Sequence, residues 1–487
     1  MMRQRLGIGC VASLAFLSLF ATASAARADY TTTVNPSVTW GTWQGWGCSL
    51  SWWANVFGTR DDIADVLFTT KSTVVNKQAL PGLGLTIARY NAGGCTNVAI
   101  NGASMQLSPN ILAFKQIQAY WLNWNSADPA SASWNWYADS NQRAMLWKAR
   151  DRGANKFELF SVTPVWWMCL NSNPSGANNG NNDNLQPWNT EQHAVYLATI
   201  AKYAAVNWGF NFDSVEAFNE PNSNWWNSQG TQEGCHFAPA AQATVITALR
   251  TELNKRGLTA VKVAASDENT YDLATATWNS FNAVTQSKIG RVDVHGYEYN
   301  SNGGGPRTTL LNTVRPKEIW NSEYGEGDAT GMTLATNLNM DIRYLNPTAW
   351  CYWQPLDSGG WGMIRSNPSD NWIGAANPKY FVMAQYTRHI RPGMTMLDSG
   401  DHNTTASYNP ATHKLVLVTT NYGAGQWVNY DLSRYGTVSG PVTRWATDTS
   451  ATGDKYTIHN DTHLSGKRFW SHFGPNTVQT FEVRNVY

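Results

Sequence analysis

The chain has 487 residues with 25 Trp, 20 Tyr and 16 Phe, yet only 14% are Asp, Glu, Lys or Arg, against ~25% in ordinary soluble domains. So much apolar surface at a formal net charge of +1 excludes a disordered chain. The length excludes one small domain and suggests two or three units, or one large barrel with an extra. No basic stretch stands out, so no nucleic-acid partner is expected. Few charges beside many Trp, Tyr, Asn and Gly suit a neutral, hydroxyl-rich ligand.

The N-terminus reads as an export signal. Arg3 and Arg5 precede a largely apolar run, and Ala26-Arg27-Ala28 offers a small-x-small cleavage site, with Ala23-Ser24-Ala25 competing. Residues 1–28 are therefore expected to be removed and the protein secreted. The apolar core is short for a membrane anchor, and no later run is long enough to span. Cys48, Cys95, Cys169, Cys235 and Cys351 remain after cleavage. In an exported protein most cysteines pair. The expectation is Cys48 with Cys95 and Cys169 with Cys235, leaving Cys351 as a buried free thiol. Their spacing fits no zinc pattern and His-Glu-x-x-His is missing from the sequence, so no metal or other cofactor is expected.

Eight short apolar or β-branched runs follow in order: Gln44 to Trp52, Gly84 to Asn91, Lys156 to Trp167, Ser214 to Asn219, Val261 to Ser266, Arg291 to Tyr299, Lys317 to Tyr324 and Thr348 to Gln354. Helical period marks Asp61 to Asn76, Ser140 to Gly153, Thr190 to Asn207, Pro239 to Gly257, Leu273 to Ile289, Leu334 to Tyr344 and Lys379 to Ile390. Strand and helix in alternation predict an α/β fold, a closed (β/α)8 TIM barrel over residues 41–390. Beyond Arg391-Pro392-Gly393 the texture changes to short alternating runs at Lys414 to Thr419, Gln426 to Tyr430, Gly440 to Ala446 and Thr477 to Val483. These predict an antiparallel β-sandwich over 391–487 that also takes a strand from residues 29–40.

Barrel active sites form at the C-terminal ends of the strands. The fourth strand ends Asn219-Glu220-Pro221 and the seventh ends Asn321-Ser322-Glu323-Tyr324. Either Glu alone reads equally well as a cap or a surface charge. Two carboxyls converging at one mouth are what glycoside hydrolysis requires, one holding a proton for the leaving oxygen and the other ionised.

Those residues carry a resemblance. The sequence resembles the retaining β-glycosidases of the barrel clan with acid and nucleophile on strands four and seven. Within that clan it is most similar to glycoside hydrolase family 30, and there to the endo-β-1,6-galactanases. Gly45-Trp46-Gly47, Ile87-Ala88-Arg89-Tyr90-Asn91, Thr163-Pro164-Val165-Trp166-Trp167-Met168, Asn219-Glu220-Pro221, His295-Gly296-Tyr297, Glu323 and Trp353 are the matching positions.

The resemblance implies Glu220 as acid/base and Glu323 as nucleophile. It implies Arg89 and Tyr297 as partners of Glu323, and Trp353 as an aromatic floor for the sugar. Asn219 suits the sugar 2-hydroxyl, though it also suits an Asn-Glu-Pro turn. His295 is read either as a site residue or as a satisfied structural histidine. Neighbours on an extended chain point opposite ways, so one member of each tryptophan pair is expected in the cleft, namely Trp53, Trp167 and Trp226. Trp121, Trp124, Trp134 and Trp136 read as a wall of distal subsites or as a packed loop.

The expected activity is a secreted, monomeric, retaining endo-glycosidase acting on β-1,6-galactan. Its expected partner is a polysaccharide, with no membrane association after signal cleavage. The competing activities are a β-1,6-glucanase, another β-glycanase of the family such as a xylanase, and a non-catalytic carbohydrate-binding protein. Arg365 is the one basic residue available on the strand-eight loop for a uronic acid side group.

Overall fold

The computed structural model describes residues 29–297 and 304–487. The expected export signal and the end of the sixth apolar run lie outside them. Eight parallel strands close into a barrel: β1 Gly45–Ser49, β2 Ile87–Asn91, β3 Lys156–Phe160, β4 Ser214–Glu216, β5 Lys262–Glu268, β6 Ile289–His295, β7 Glu318–Glu323 and β8 Ala349–Tyr352. Closure occurs where β8 pairs with β1, Ala349 opposite Gly45 and Tyr352 opposite Cys48. The first strand packs so tightly that a Cβ on Gly47 would lie 2.6 Å from Ile87 Cβ and 2.8 Å from Cys351 Sγ.

A helix follows every barrel strand, including Gly305–Val314 after β6, where the sequence shows no helical period. That segment is rich in threonine, a weak helix former; Pro306 in its first turn supplies the start signal. The helix expected over Asp61 to Asn76 ends at Phe68. The β-branched run Ser72–Val75 instead pairs with Gln78–Pro81, through Asn76 and Lys77 at φ 45° and 64°, the left-handed pair a tight hairpin requires. The stretch Leu273 to Ile289 divides into Tyr271–Ser280 and Ala283–Lys288.

The two termini build the remaining sheets. Asn35–Thr42 joins a seven-stranded sheet with Thr395–Asp398, Thr404–Asn409, Lys414–Asn421, Thr477–Val483, Val442–Asp448 and Lys455–His459. Tyr30–Thr33 lies parallel to Gln426–Asp431 in a three-stranded sheet completed by Arg468–Phe473. The N-terminal segment thus supplies two strands to two sheets, where one was expected. Tyr430, Phe469, Phe473 and Phe481 fill the apolar space between them.

The expected disulfides do not form: the five cysteines among the described residues are buried free thiols. Cys48 lies inside β1 against β8, and Cys95 instead donates to Glu233 Oε1 at 3.3 Å. Cys169 points at the carbonyls of Pro164 and Val165, each 3.8 Å away. Each thiol is held by local packing rather than by a second sulfur. Cys351, expected as a buried free thiol, is one.

Candidate active site

A cavity of about 610 Å³ opens at the C-terminal mouth of the barrel. Asn219, Glu220, Trp226, Tyr297, Glu323 and Trp353 line it, so most of the expected site residues meet there. β4 is only three residues long, after which the chain turns outward. Glu220 sits in the left-handed region at φ 50°, and its N–H donates to the Asp267 carbonyl at 2.8 Å. Its own carbonyl accepts from Trp226 Nε1 at 2.9 Å. A non-glycine residue held there costs of order 1 kcal/mol, and these two bonds offset it while aiming the carboxyl inward.

Glu220 and Glu323 face each other. One carboxylate oxygen of each and one ring nitrogen of His295 all lie within 4.8 Å of one another. Glu323 Oε2 accepts from Arg89 Nη1 at 3.2 Å, and Oε1 accepts from the Tyr297 hydroxyl at 2.9 Å. Glu220 Oε1 accepts from Asn269 Nδ2 at 2.7 Å. His295 Nδ1 lies 3.0 Å from Glu220 Oε1 and 3.5 Å from Glu323 Oε1, while Nε2 lies 3.1 Å from Asp267 Oδ2. His295 therefore bridges both glutamates from below. Asn219 is 4% exposed, and its Oδ1 accepts no hydrogen bond among the described residues.

Asp267, at the end of β5, ties the site together. Its Oδ2 accepts from Arg89 Nη2 at 2.7 Å, its Oδ1 accepts from the Ser322 hydroxyl beside Glu323, and its carbonyl holds the Glu220 N–H. Arg89 is fully buried and reaches Glu158, Asp267 and Glu323 at once.

The electrostatics follow from this wiring. Burial pushes the Glu323 carboxyl up, to about 7; His295 and Arg89 pull it back, and Glu220 and Asp267 raise it. Burial alone would lower His295, but Glu323 and Asp267 override it and hold the imidazole well above its usual range, as a cation. Glu220, His295 and Glu323 are spaced as metal ligands would be, but the charges of Arg89 and His295 already occupy the place of a cation.

Two expected cleft residues lie elsewhere. Trp53 is buried as the first residue of the helix Trp53–Phe57, its Nε1 donating to the Ser49 carbonyl at 2.8 Å. Its neighbour Trp52 lines the cavity instead, edge-on to Trp353 at 5.1 Å. Trp167 sits in a 3-10 turn, donates to the Trp121 carbonyl at 3.2 Å and packs edge-on to Trp121 and Trp124. In both pairs the strand has already ended, so neighbouring side chains no longer point oppositely.

The long insertion is a packed loop. Trp121 stacks on Trp134, Trp134 on Trp136, and Trp136 on Tyr203. Arg365 is exposed on the short strand Ile364–Asn367 and does not line the cavity.

Sequence reasoning missed Asp267, Asn269, Trp52, Lys115, Asp357 and Trp361. Ser266-Asp267-Glu268-Asn269 closes β5 as Asn219-Glu220 closes β4, so the same strand-end rule reaches Asp267 and Asn269. Lys115 and Asp357 come from loops and carry no such signal.

Residues 26–289 match the family described as O-Glycosyl hydrolase family 30. The chain is 52% identical over 466 residues to an endo-beta-1,6-galactanase of Hypocrea rufa, covering 95% of this chain and 96% of that protein. Among solved structures, a conserved exported protein from Bacteroides fragilis superposes with a TM-score of 0.77 at 16% identity, covering 93% of this chain and 100% of that one. The catalytic domain of a GH30 xylanase C from Talaromyces cellulolyticus does so with a TM-score of 0.68 at 20% identity, with the same coverage of each chain. These two likenesses carry the fold.

Proposed function

For a chain that belongs to glycosyl hydrolase family 30 and is a glycoside hydrolase, we propose the specific activity of a secreted endo-β-1,6-galactanase acting with retention. The observation that carries the chemistry is the approach of Glu220 and Glu323, with carboxylate oxygens inside 4.8 Å. Retaining enzymes bring their carboxyls to roughly 5–5.5 Å, whereas inverting ones leave ~6.5–9.5 Å for a water.

Arg89 and Tyr297 both donate to Glu323 and neither to Glu220. These two donors favour Glu323 as the anion that attacks, which leaves Glu220 the role of acid and base. Glu323 attacks the anomeric carbon while Glu220 protonates the departing glycosidic oxygen. A covalent glycosyl-enzyme forms and the aglycone leaves. Glu220, now ionised, takes a proton from water. The water oxygen displaces Glu323 from the anomeric carbon, and the product keeps its configuration. Asn219 Oδ1, unpaired in the cavity wall, suits a sugar 2-hydroxyl. Trp353 offers an apolar face to the ring.

The polymer assignment rests on the galactanase relative at 52% identity. Secretion rests on residues 1–28, and a monomer remains the expectation. The test is incubation with β-1,6-galactan, β-1,6-glucan and glucuronoxylan, following reducing ends, product sizes and the anomer first released. Mixed galacto-oligomers released as the β-anomer support the reading. Preferred cleavage of glucan or glucuronoxylan overturns the substrate, galactobiose or galactose as sole product overturns endo action, and the α-anomer overturns retention.

A further inference from the structure

Two charged side chains in the cavity wall have no role in the mechanism above. Lys115 ends the 3-10 turn Ala113–Lys115 in the β2 insertion, and Asp357 belongs to the loop after β8. Both line the same cavity as Glu220 and Glu323. The Lys115 ammonium lies 4.1 Å from the centre of the Trp52 ring. Trp52 in turn meets Trp353 edge-on, so one aromatic ring links Lys115 to Trp353.

Neither charge meets an opposite charge at ion-pair distance among the described residues. Among the described residues Lys115 Nζ makes no hydrogen bond and no ion pair. Asp357 takes its hydrogen bonds from its neighbour Ser358, whose N–H donates to Oδ1 at 2.6 Å, and it forms no ion pair among the described residues. The two sense each other's charge across the gap without closing into an ion pair. Burial lowers Lys115 and raises Asp357. An ammonium offers only donors and a carboxylate only acceptors. A group that accepts from one and donates to the other is a hydroxyl. An anionic substituent would meet Asp357 as well as Lys115, so the pair selects a neutral sugar.

We infer that Lys115 and Asp357 are specificity-determining residues that together bind the hydroxyls, the axial O4 among them, of the galactose unit next to the one held over Glu323. This rests on the proposed β-1,6-galactan substrate. Galactose and glucose differ only in the direction of O4, and a site built around a hydroxyl rejects the ligand that does not present it.

The test uses the full-length enzyme, Lys115→Met and Asp357→Asn, with melting temperatures to verify folding. kcat/KM is measured on β-1,6-galactotetraose and β-1,6-glucotetraose. The expected result is a loss of at least tenfold on galactotetraose in each variant, less than threefold change on glucotetraose, and unchanged melting. Equal losses on both substrates, or no loss on galactotetraose, overturn the inference. A parent enzyme that prefers glucotetraose overturns the galactan reading instead, and a variant loss confined to galactotetraose would still uphold the contact.

Discussion

The interior of the barrel and the interior of the side domain are built on opposite plans. Beneath the barrel mouth lie Arg89, Arg291, Glu158, Glu216, Asp267 and Asp293, all buried. Arg89 and Arg291 both bond Glu158, and Arg291 stacks over Trp320 at 3.5 Å. The side domain fills its core with Val428, Tyr430, Phe469, Phe473 and Phe481. Buried charges add little net stability but are costly to leave unpaired, whereas buried aromatics stabilise directly. The difference teaches that the barrel core surrounds Glu220 and Glu323 with a network of paired buried charges, while the sandwich packed beside it is held by apolar aromatic packing.

Substitution can break this contrast. Glu323→Gln and Glu220→Gln should each lower kcat on the polymer by about 10³-fold or more, with melting temperature unchanged or raised. Phe481→Ala, in the sandwich, should cost ~3–5 kcal/mol of stability, seen in denaturant unfolding, with kcat at 25 °C unaltered. Asp267→Asn leaves Arg89 and His295 each short of one counter-charge. It should lower kcat about 10²-fold with KM little changed, because Asp267 is not in the cavity wall.

The contrast extends to pH. kcat/KM should rise as pH rises toward about 7, because burial holds the Glu323 carboxyl there and it must be ionised to attack the anomeric carbon. A pH–rate profile on an oligosaccharide checks this. Stability should run the opposite way. Burial raises Asp139, Glu233 and Glu268 in the barrel to about 7. Their folded values exceed the unfolded ones, so the stability they bring is complete below about pH 4 and is lost as pH rises through about 7. Glu482 in the sandwich is lowered to about 2, because His389 and Lys414 outweigh its burial; its contribution is lost only in acid. Melting temperature should therefore be higher at pH 5 than at pH 8, and Asp139→Asn should flatten that slope.

Much of this was legible in the chain. The strand-end rule places Glu220 and Glu323 because both directly follow apolar strand cores, a local feature. The tryptophan choices failed at Trp53 and Trp167 because they assumed extended backbone where β1 and β3 had already ended. The disulfide expectation failed because cysteine count and compartment say nothing of which sulfurs meet. Gly305–Val314 escaped notice because its helix depends on packing more than on propensity.

The sequence by itself determined the alternation of strand and helix, the two strand-borne glutamates and the change of texture near Arg391, since each is a pattern among residues close in the chain. Only the tertiary structure decided that His295 reaches both glutamates while Asp267 holds Glu220, Arg89 and Ser322, and that Trp52 rather than Trp53 faces the cavity. It alone brings Lys115 and Asp357 to one wall from 242 positions apart. Closing a barrel joins strands remote in sequence, and the contacts made there depend on side-chain direction and burial that no local pattern encodes.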